Sequence, residues 1–124
     1  MPSVCFYFQI HQPFRLRHYT FFDIGHNHFY EDEEENRAIL KKVAEKCYLP
    51  ANRVMYDLIR RHEGRFRIAY SISGVVLDQF ERYHPAVLAS LVDLAQTGCV
   101  EFLNETYYHS LAFLFSPVEF KQQV

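Results

Sequence analysis

Polar side chains that could bind or transform a ligand follow three separate apolar stretches of the chain. His11 and Gln12 follow the first stretch, Ser71-Ile72-Ser73-Gly74 closes the second, and the segment from Asn104 to His109 follows the third. This last segment combines two tyrosines with a carboxylate, an amide and an imidazole. Aromatic faces beside groups that hydrogen-bond hydroxyls are typical of a carbohydrate site, and the segment therefore predicts a sugar-binding wall.

Glu101 lies inside the third apolar stretch, between Val100 and Phe102. Burying a carboxylate there is costly unless it is paired or belongs to a site. A structural ion pair and a functional carboxylate both satisfy this requirement, so the residue alone leaves both interpretations open. His11 leaves a similar choice between a buried histidine that bonds to backbone and a ligand-binding imidazole.

Strands and helices that would position these groups alternate along the chain. Strand patterns cover 4–10, 66–72 and the run that begins at Cys99, and apolar residues at helical spacing fill most of the intervening sequence. Strands that alternate with helical crossovers pair in parallel. We therefore predict an α/β fold in which all three polar segments meet at one edge, where barrels and open α/β sheets place active sites.

Two details of these elements are also predicted. The first strand is apolar on both faces, which predicts burial on both sides. The connection 14–32 is long and aromatic, and we expect it to fold over a strand end.

The segment Ser116-Pro117-Val118-Glu119 has the signature of a helix start. Only a short helix fits before Val124, so we expect the chain to be the first part of a longer protein.

Composition and charge restrict the possible partners and compartment. Hydrophobic residues make up 49% of the 124 positions, enough for a core, and the net charge is −2. No basic cluster is larger than a pair such as Arg60-Arg61, so no nucleic-acid partner is predicted. No apolar run approaches the roughly 20 residues that span a bilayer. The first residues lack the features of a signal peptide, which predicts a cytoplasmic protein.

The cysteine and histidine patterns do not predict a metal site. Cys5, Cys47 and Cys99 are odd in number and widely spaced, which favours reduced, buried thiols. His26 and His28 are two residues apart, but no carboxylate set accompanies them, which favours a solvated loop. We expect no metal and no cofactor.

The ordered motifs resemble glycoside hydrolase family 57, which contains α-amylases, branching enzymes and 4-α-glucanotransferases. His11-Gln12-Pro13 resembles the first signature region of that family, and Gly98-Cys99-Val100-Glu101, continuing into Tyr108-His109, resembles the second. The resemblance to α-amylase-like members covers essentially the whole chain and includes three intervening segments, Phe21–Gly25, Lys46–Asn52 and Ser71–Gly74. Position 99 is Cys where many members have Gln.

The resemblance implies that residues 1–124 are the N-terminal segment of a single catalytic (β/α)7 barrel that cleaves or transfers α-glucans with retention. The family's nucleophile Glu and acid Asp would lie beyond Val124, so no catalytic carboxylate is expected in this chain. His11 and Glu101 match the residues that line the sugar subsite beside the nucleophile. With Gln12 and His109 they form the predicted set that binds an α-glucan or maltooligosaccharide, and the oligomeric state stays open.

Two alternatives belong to other functional classes. A metal-dependent polysaccharide deacetylase or α-mannosidase-like barrel needs an Asp or a His-x-Asp set near the first strand end, and His11-Gln12-Pro13 lacks the Asp. A non-catalytic carbohydrate-binding module would need no carboxylate pair and is favoured if the 124 residues are the whole protein.

Overall fold

The computed structural model describes residues 3–124, which form a three-stranded parallel sheet with helices on one face. The strands are β1 (Phe6–Ile10), β2 (Ile68–Ile72) and β3 (Val100–Leu103), in the order β1-β2-β3. The predicted α/β alternation and parallel pairing are confirmed. Three strands do not close a barrel, so the seven-stranded barrel stays a prediction.

Five α-helices occur in the described part of the chain. They are α1 (Glu33–Val43), α2 (Leu49–Arg61), α3 (Gly74–Tyr83), α4 (Pro85–Gln96) and α5 (Pro117–Gln123). A π-helical segment, Ala44–Tyr48, joins α1 to α2, so Pro50 stands in the first turn of α2 without breaking the helical path. The predicted start of α5 is confirmed, because the Ser116 hydroxyl accepts a hydrogen bond from the backbone N–H of Glu119.

The hydrophobic core lies between the sheet and the helices. The central strand β2 is buried from Ile68 to Ser71, and its alternate residues Ile68 and Tyr70 belong to this core. Phe80 of α3 is fully buried and meets the ring of Tyr48 edge to face, with centroids 5.4 Å apart. The remaining core residues come from all parts of the chain and include Ile10, Leu40, Ile59, Val76, Val87, Leu91 and Leu94.

The opposite face of the sheet is only partly covered. Register places Tyr7, Ala69 and Glu101 side by side on this face, and Tyr7 is 50% exposed. The prediction that β1 is buried on both sides is therefore wrong for these 122 described residues. The strand lies at the sheet edge, where Phe6 is also 48% exposed although it shares a face with Phe8 and Ile10.

The connection 14–32 doubles back on itself. Leu16 pairs with Glu31 in an antiparallel bridge, and the backbone N–H of Arg17 donates to the carbonyl of Tyr30 over 2.9 Å. The fully buried Asn36 ties its root to α1, because its amide binds both the N–H and the carbonyl of Arg15. The connection is thus an ordered loop that is held beside the end of β1.

Thiol labelling should distinguish the three cysteines, which are all unpaired. Cys99 is buried as predicted, but Cys5 and Cys47 are exposed, so the prediction of three buried thiols is wrong. Cys5 precedes the paired part of β1, and the side chain of Cys47 leaves the π-helical segment on its solvent side. We expect two rapidly reacting thiols in the native protein and a third only in denaturant. Cys99→Ser should abolish the slow fraction, and equal rates at all three sites would contradict the fold.

Candidate functional site at the strand ends

The carboxyl ends of the three strands bring together side chains that are far apart in sequence. His11 follows β1, Ser73 lies between β2 and α3, and His109 lies in the loop after β3. The Nδ1 atom of His11 is 2.7 Å from the Ser73 hydroxyl oxygen. The rings of His11 and His109 are inclined by 42° with centroids 4.9 Å apart. The predicted meeting of the three polar segments is confirmed by these contacts.

A carboxylate and an amide hold the second imidazole. The Oε2 atom of Glu105 is 3.0 Å from Nδ1 of His109. The side-chain nitrogen of Gln9 lies 2.9 and 3.1 Å from the two ring nitrogens of His109 and 3.3 Å from Oε2 of Glu105. Only 11% of the Glu105 side chain is exposed. His109 therefore has its ring orientation set from two different strand ends.

Electrostatics favours a neutral His11. Burial lowers the pKa of His11 below its ordinary value, the neighbouring His109 lowers it further, and Glu105 acts in the opposite direction. At neutral pH the ring is therefore a hydrogen-bonding group with one donor and one acceptor. Such a group can bind hydroxyls of an uncharged ligand.

The loop after β3 is locked onto the start of α3 by Tyr107. Its carbonyl accepts from the N–H of Val75 over 3.1 Å, and its hydroxyl donates to the carboxylate of Asp78. This hydrogen bond, with burial, raises the pKa of Tyr107 to about 12. The ring lies where a side chain at Gly74 would be, because a Cβ atom there would be 2.1 Å from Cδ2 of Tyr107. The absence of a side chain at Gly74 thus allows the docking.

His109 itself has a left-handed backbone, with φ of 54°. This region is uncommon for a residue with a Cβ atom. Thr106 closes the turn, because its carbonyl accepts from the N–H of His109 and its hydroxyl accepts from the N–H of Ser110. Uncommon backbone conformations cluster at functional sites, so the turn supports a role for His109 beyond packing.

Gln12 points away from the two imidazoles and toward the helices. Its amide nitrogen donates to the hydroxyl of Tyr48 over 3.3 Å, and its side-chain oxygen accepts from Arg15 over 2.9 Å. Its carbonyl accepts from the buried amide of Gln79 over 2.6 Å. Gln12 therefore stabilises the turn after β1. Its contact with a substrate stays a prediction.

Glu101 lies on the open face of the sheet but away from the two imidazoles. It pairs in register with Ala69 and, through it, with Tyr7. His11 follows Tyr7 by four positions, a separation of about 13 Å along a strand. The expectation that Glu101 is buried is wrong for the described chain, where the residue is exposed, because β3 is a sheet edge.

Comparison with known proteins identifies the family. The sequence profile named "Glycosyl hydrolase family 57" matches residues 5–124. The chain belongs to glycosyl hydrolase family 57. A protein of Methanocaldococcus jannaschii named "Putative alpha-amylase" is 38% identical over 117 residues, which is 90% of this chain and 24% of that relative. The chain thus spans about a quarter of that protein. No solved structure matches this chain.

The family 57 chain has a cavity on the open face of its sheet. Its volume is about 530 Å³, and its polar lining includes Gln9, Ser71, Glu105 and His109. Within residues 3–124 no group of three or more His, Cys, Asp or Glu side chains is arranged to hold a metal ion. No helix among these residues is long and apolar enough to cross a bilayer.

Sequence reasoning placed Ser73 and Glu105 at the strand ends but did not include them, or Gln9, in the predicted binding set. Two signals were available. Glu105 and His109 are four residues apart, and Gln9 is two residues after Tyr7, which places both on the strand face opposite the core. The partner of Ser73 had no local signal, because His11 is 62 residues away.

Proposed function

We propose that this chain is the N-terminal part of the catalytic barrel of a retaining, α-glucan-active glycoside hydrolase or 4-α-glucanotransferase. The observation that carries the proposal is the meeting of His11, Ser73 and His109 at the ends of three parallel strands in a family 57 chain. Parallel barrels build active sites at that edge. The related protein named as an α-amylase supports the α-glucan specificity.

His11 and Glu101 are proposed to bind the glucosyl unit at the cleavage site. The open face of the sheet, on which Glu101 lies, becomes the interior face when further strands close the barrel. There its carboxylate accepts hydrogen bonds from sugar hydroxyls. His109 lies against His11 and adds a second imidazole to the same wall.

The catalytic carboxylates are proposed to come from outside residues 1–124. Retaining enzymes hold a nucleophile and a general acid about 5 Å apart. Glu101 is exposed on its strand, and Glu105 is held by Gln9 and His109. We therefore propose that this part supplies binding rather than bond cleavage.

The metal-dependent deacetylase or mannosidase alternative is less well supported. It needs a cluster of ligands at the first strand end, and the described residues contain no such cluster. The family match also favours a glycoside hydrolase over a deacetylase.

The function is tested on the complete gene product and on residues 1–124 alone. We expect the complete protein to convert a maltooligosaccharide with retention, detected as initial release of the α-anomer by proton NMR. We expect residues 1–124 alone to be inactive toward a nitrophenyl maltooligosaccharide. Turnover by the short chain that Glu101→Gln abolishes would contradict the proposed division of labour. An inactive complete protein that instead deacetylates a polysaccharide would support the alternative.

A further inference from the structure

Ser73 is the N-cap residue of α3, but its side chain makes no capping hydrogen bond. A serine at this position ordinarily accepts a hydrogen bond from one of the first N–H groups of the helix. Here the N–H of Val75 donates to the carbonyl of Tyr107, and the N–H of Val76 donates to the Ser73 carbonyl. The Ser73 hydroxyl is thereby released from capping, although the residue is fully buried.

The released hydroxyl must donate to His11. Its partner within the described chain is Nδ1 of His11, at 2.7 Å. If His11 were the donor, the hydroxyl hydrogen of Ser73 would be buried without an acceptor, which is costly. If Ser73 donates, its buried hydroxyl hydrogen has an acceptor. Nδ1 of His11 is then the acceptor, and the ring proton lies on Nε2.

We propose that Ser73 is a positioning residue that fixes His11 as the neutral tautomer with its proton on Nε2. Within residues 3–124, Nε2 of His11 has no hydrogen-bond partner. This atom is accessible to solvent. His11 therefore presents a hydrogen-bond donor at the strand ends. This inference rests on the proposed function for the identity of the acceptor, an oxygen of a sugar ligand.

The surroundings of His11 oppose protonation of the ring. The groups that face it are the Ser73 hydroxyl, the His109 imidazole and, behind His109, the Glu105 carboxylate. Glu105 contacts His109 rather than His11, so its charge acts on His11 at a distance. A proton on Nδ1 would require the Ser73 hydroxyl to turn round and leave its own hydrogen without an acceptor.

Nitrogen NMR of the complete gene product, labelled at histidine, tests the tautomer without an assay. His11→Gln identifies the His11 signals by their loss. We expect a pyridine-type signal for Nδ1 and a pyrrole-type signal for Nε2, and in Ser73→Ala we expect both signals to move toward averaged values. A pyrrole-type Nδ1 in the wild-type protein would overturn the inference whether or not the protein acts on glucans.

The pH dependence of kcat/KM separates positioning from folding. Donation by Ser73 stabilises neutral His11, so Ser73→Ala should raise the pKa of His11 and move the acid limb to higher pH. We expect kcat/KM at neutral pH to fall about tenfold. Ser90→Ala is the matched control, because it removes a serine hydrogen bond between α2 and α4 and should leave the acid limb in place.

Further variants and outcomes test the role of Ser73. Ser73→Cys keeps the volume with a weaker donor and serves if the alanine variant does not fold. An unchanged acid limb together with a lower Tm would overturn the inference and leave Ser73 as a packing residue. A wild-type protein that has the expected NMR signals but does not act on α-glucans would refute the proposed function alone.

Discussion

Replacing His11 by alanine in the complete gene product should lower kcat about a hundredfold, while KM changes less. The ring is held by Ser73 and lies against His109, so its free nitrogen has a defined position before a ligand arrives. A preorganised donor contributes most when the sugar ring flattens in the transition state. The loss corresponds to about 3 kcal/mol of transition-state stabilisation.

Glu101→Gln should have an effect of similar size, because Glu101 is proposed to contact the same glucosyl unit. Measurement of kcat, KM and Tm for both variants decides between a site and a structural role. His62→Ala and Glu34→Gln are suitable controls, because both residues are exposed and lie at the end of α2 and in α1. Normal turnover with a depressed Tm would show that His11 and Glu101 have a structural role and do not bind the substrate.

Gly74→Ala should be strongly disruptive for so small a change. The new methyl group would lie 2.1 Å from the Tyr107 ring, far inside van der Waals contact. Alanine favours a helix over glycine by about 1 kcal/mol, but this overlap outweighs it. Tyr107 is held by backbone bonds to Val75 and Gln123, so its ring cannot move without displacing the loop. We expect the free energy of unfolding to fall by about 1–3 kcal/mol.

The same substitution should also reduce turnover, because His109 follows Tyr107 by two positions. A displacement of about 1 Å in a positioning group can lower kcat a hundredfold. Tyr107→Ala provides the control, since it removes the ring that the methyl group would meet. The double variant should then be no less stable than Tyr107→Ala alone. Additive losses would show that Gly74 and Tyr107 are not in contact.

Local patterns in the sequence were sufficient for the elements and for the edge at which they meet. Alternation in 66–72 and apolar runs beginning at Val4 and Cys99 predicted the strands, and helical spacing between them required parallel pairing. Because parallel strands end at one edge, His11 and His109 could be placed together in advance. The family assignment also followed from the ordered motifs.

Only the tertiary structure decided which side chains face one another within that edge. Gln9 and His109 are 100 positions apart, and whether they touch depends on the strand register and on the turn that Thr106 closes. Gln12 and His11 are adjacent, yet Gln12 turns toward Tyr48 while His11 turns toward Ser73. Side-chain direction after a strand end is set by the contacts that packing offers, which no local pattern encodes.

The exposure of Glu101 was also decided by the tertiary structure. The apolar neighbours of Glu101 predict a strand correctly, but burial depends on what covers the sheet. In the described chain β3 lies at the edge and helices cover the other face. Sequence thus determined the strand that carries Glu101. Its solvent contact was decided by the arrangement of the sheet and helices, because burial is a property of the assembled layers rather than of a single strand.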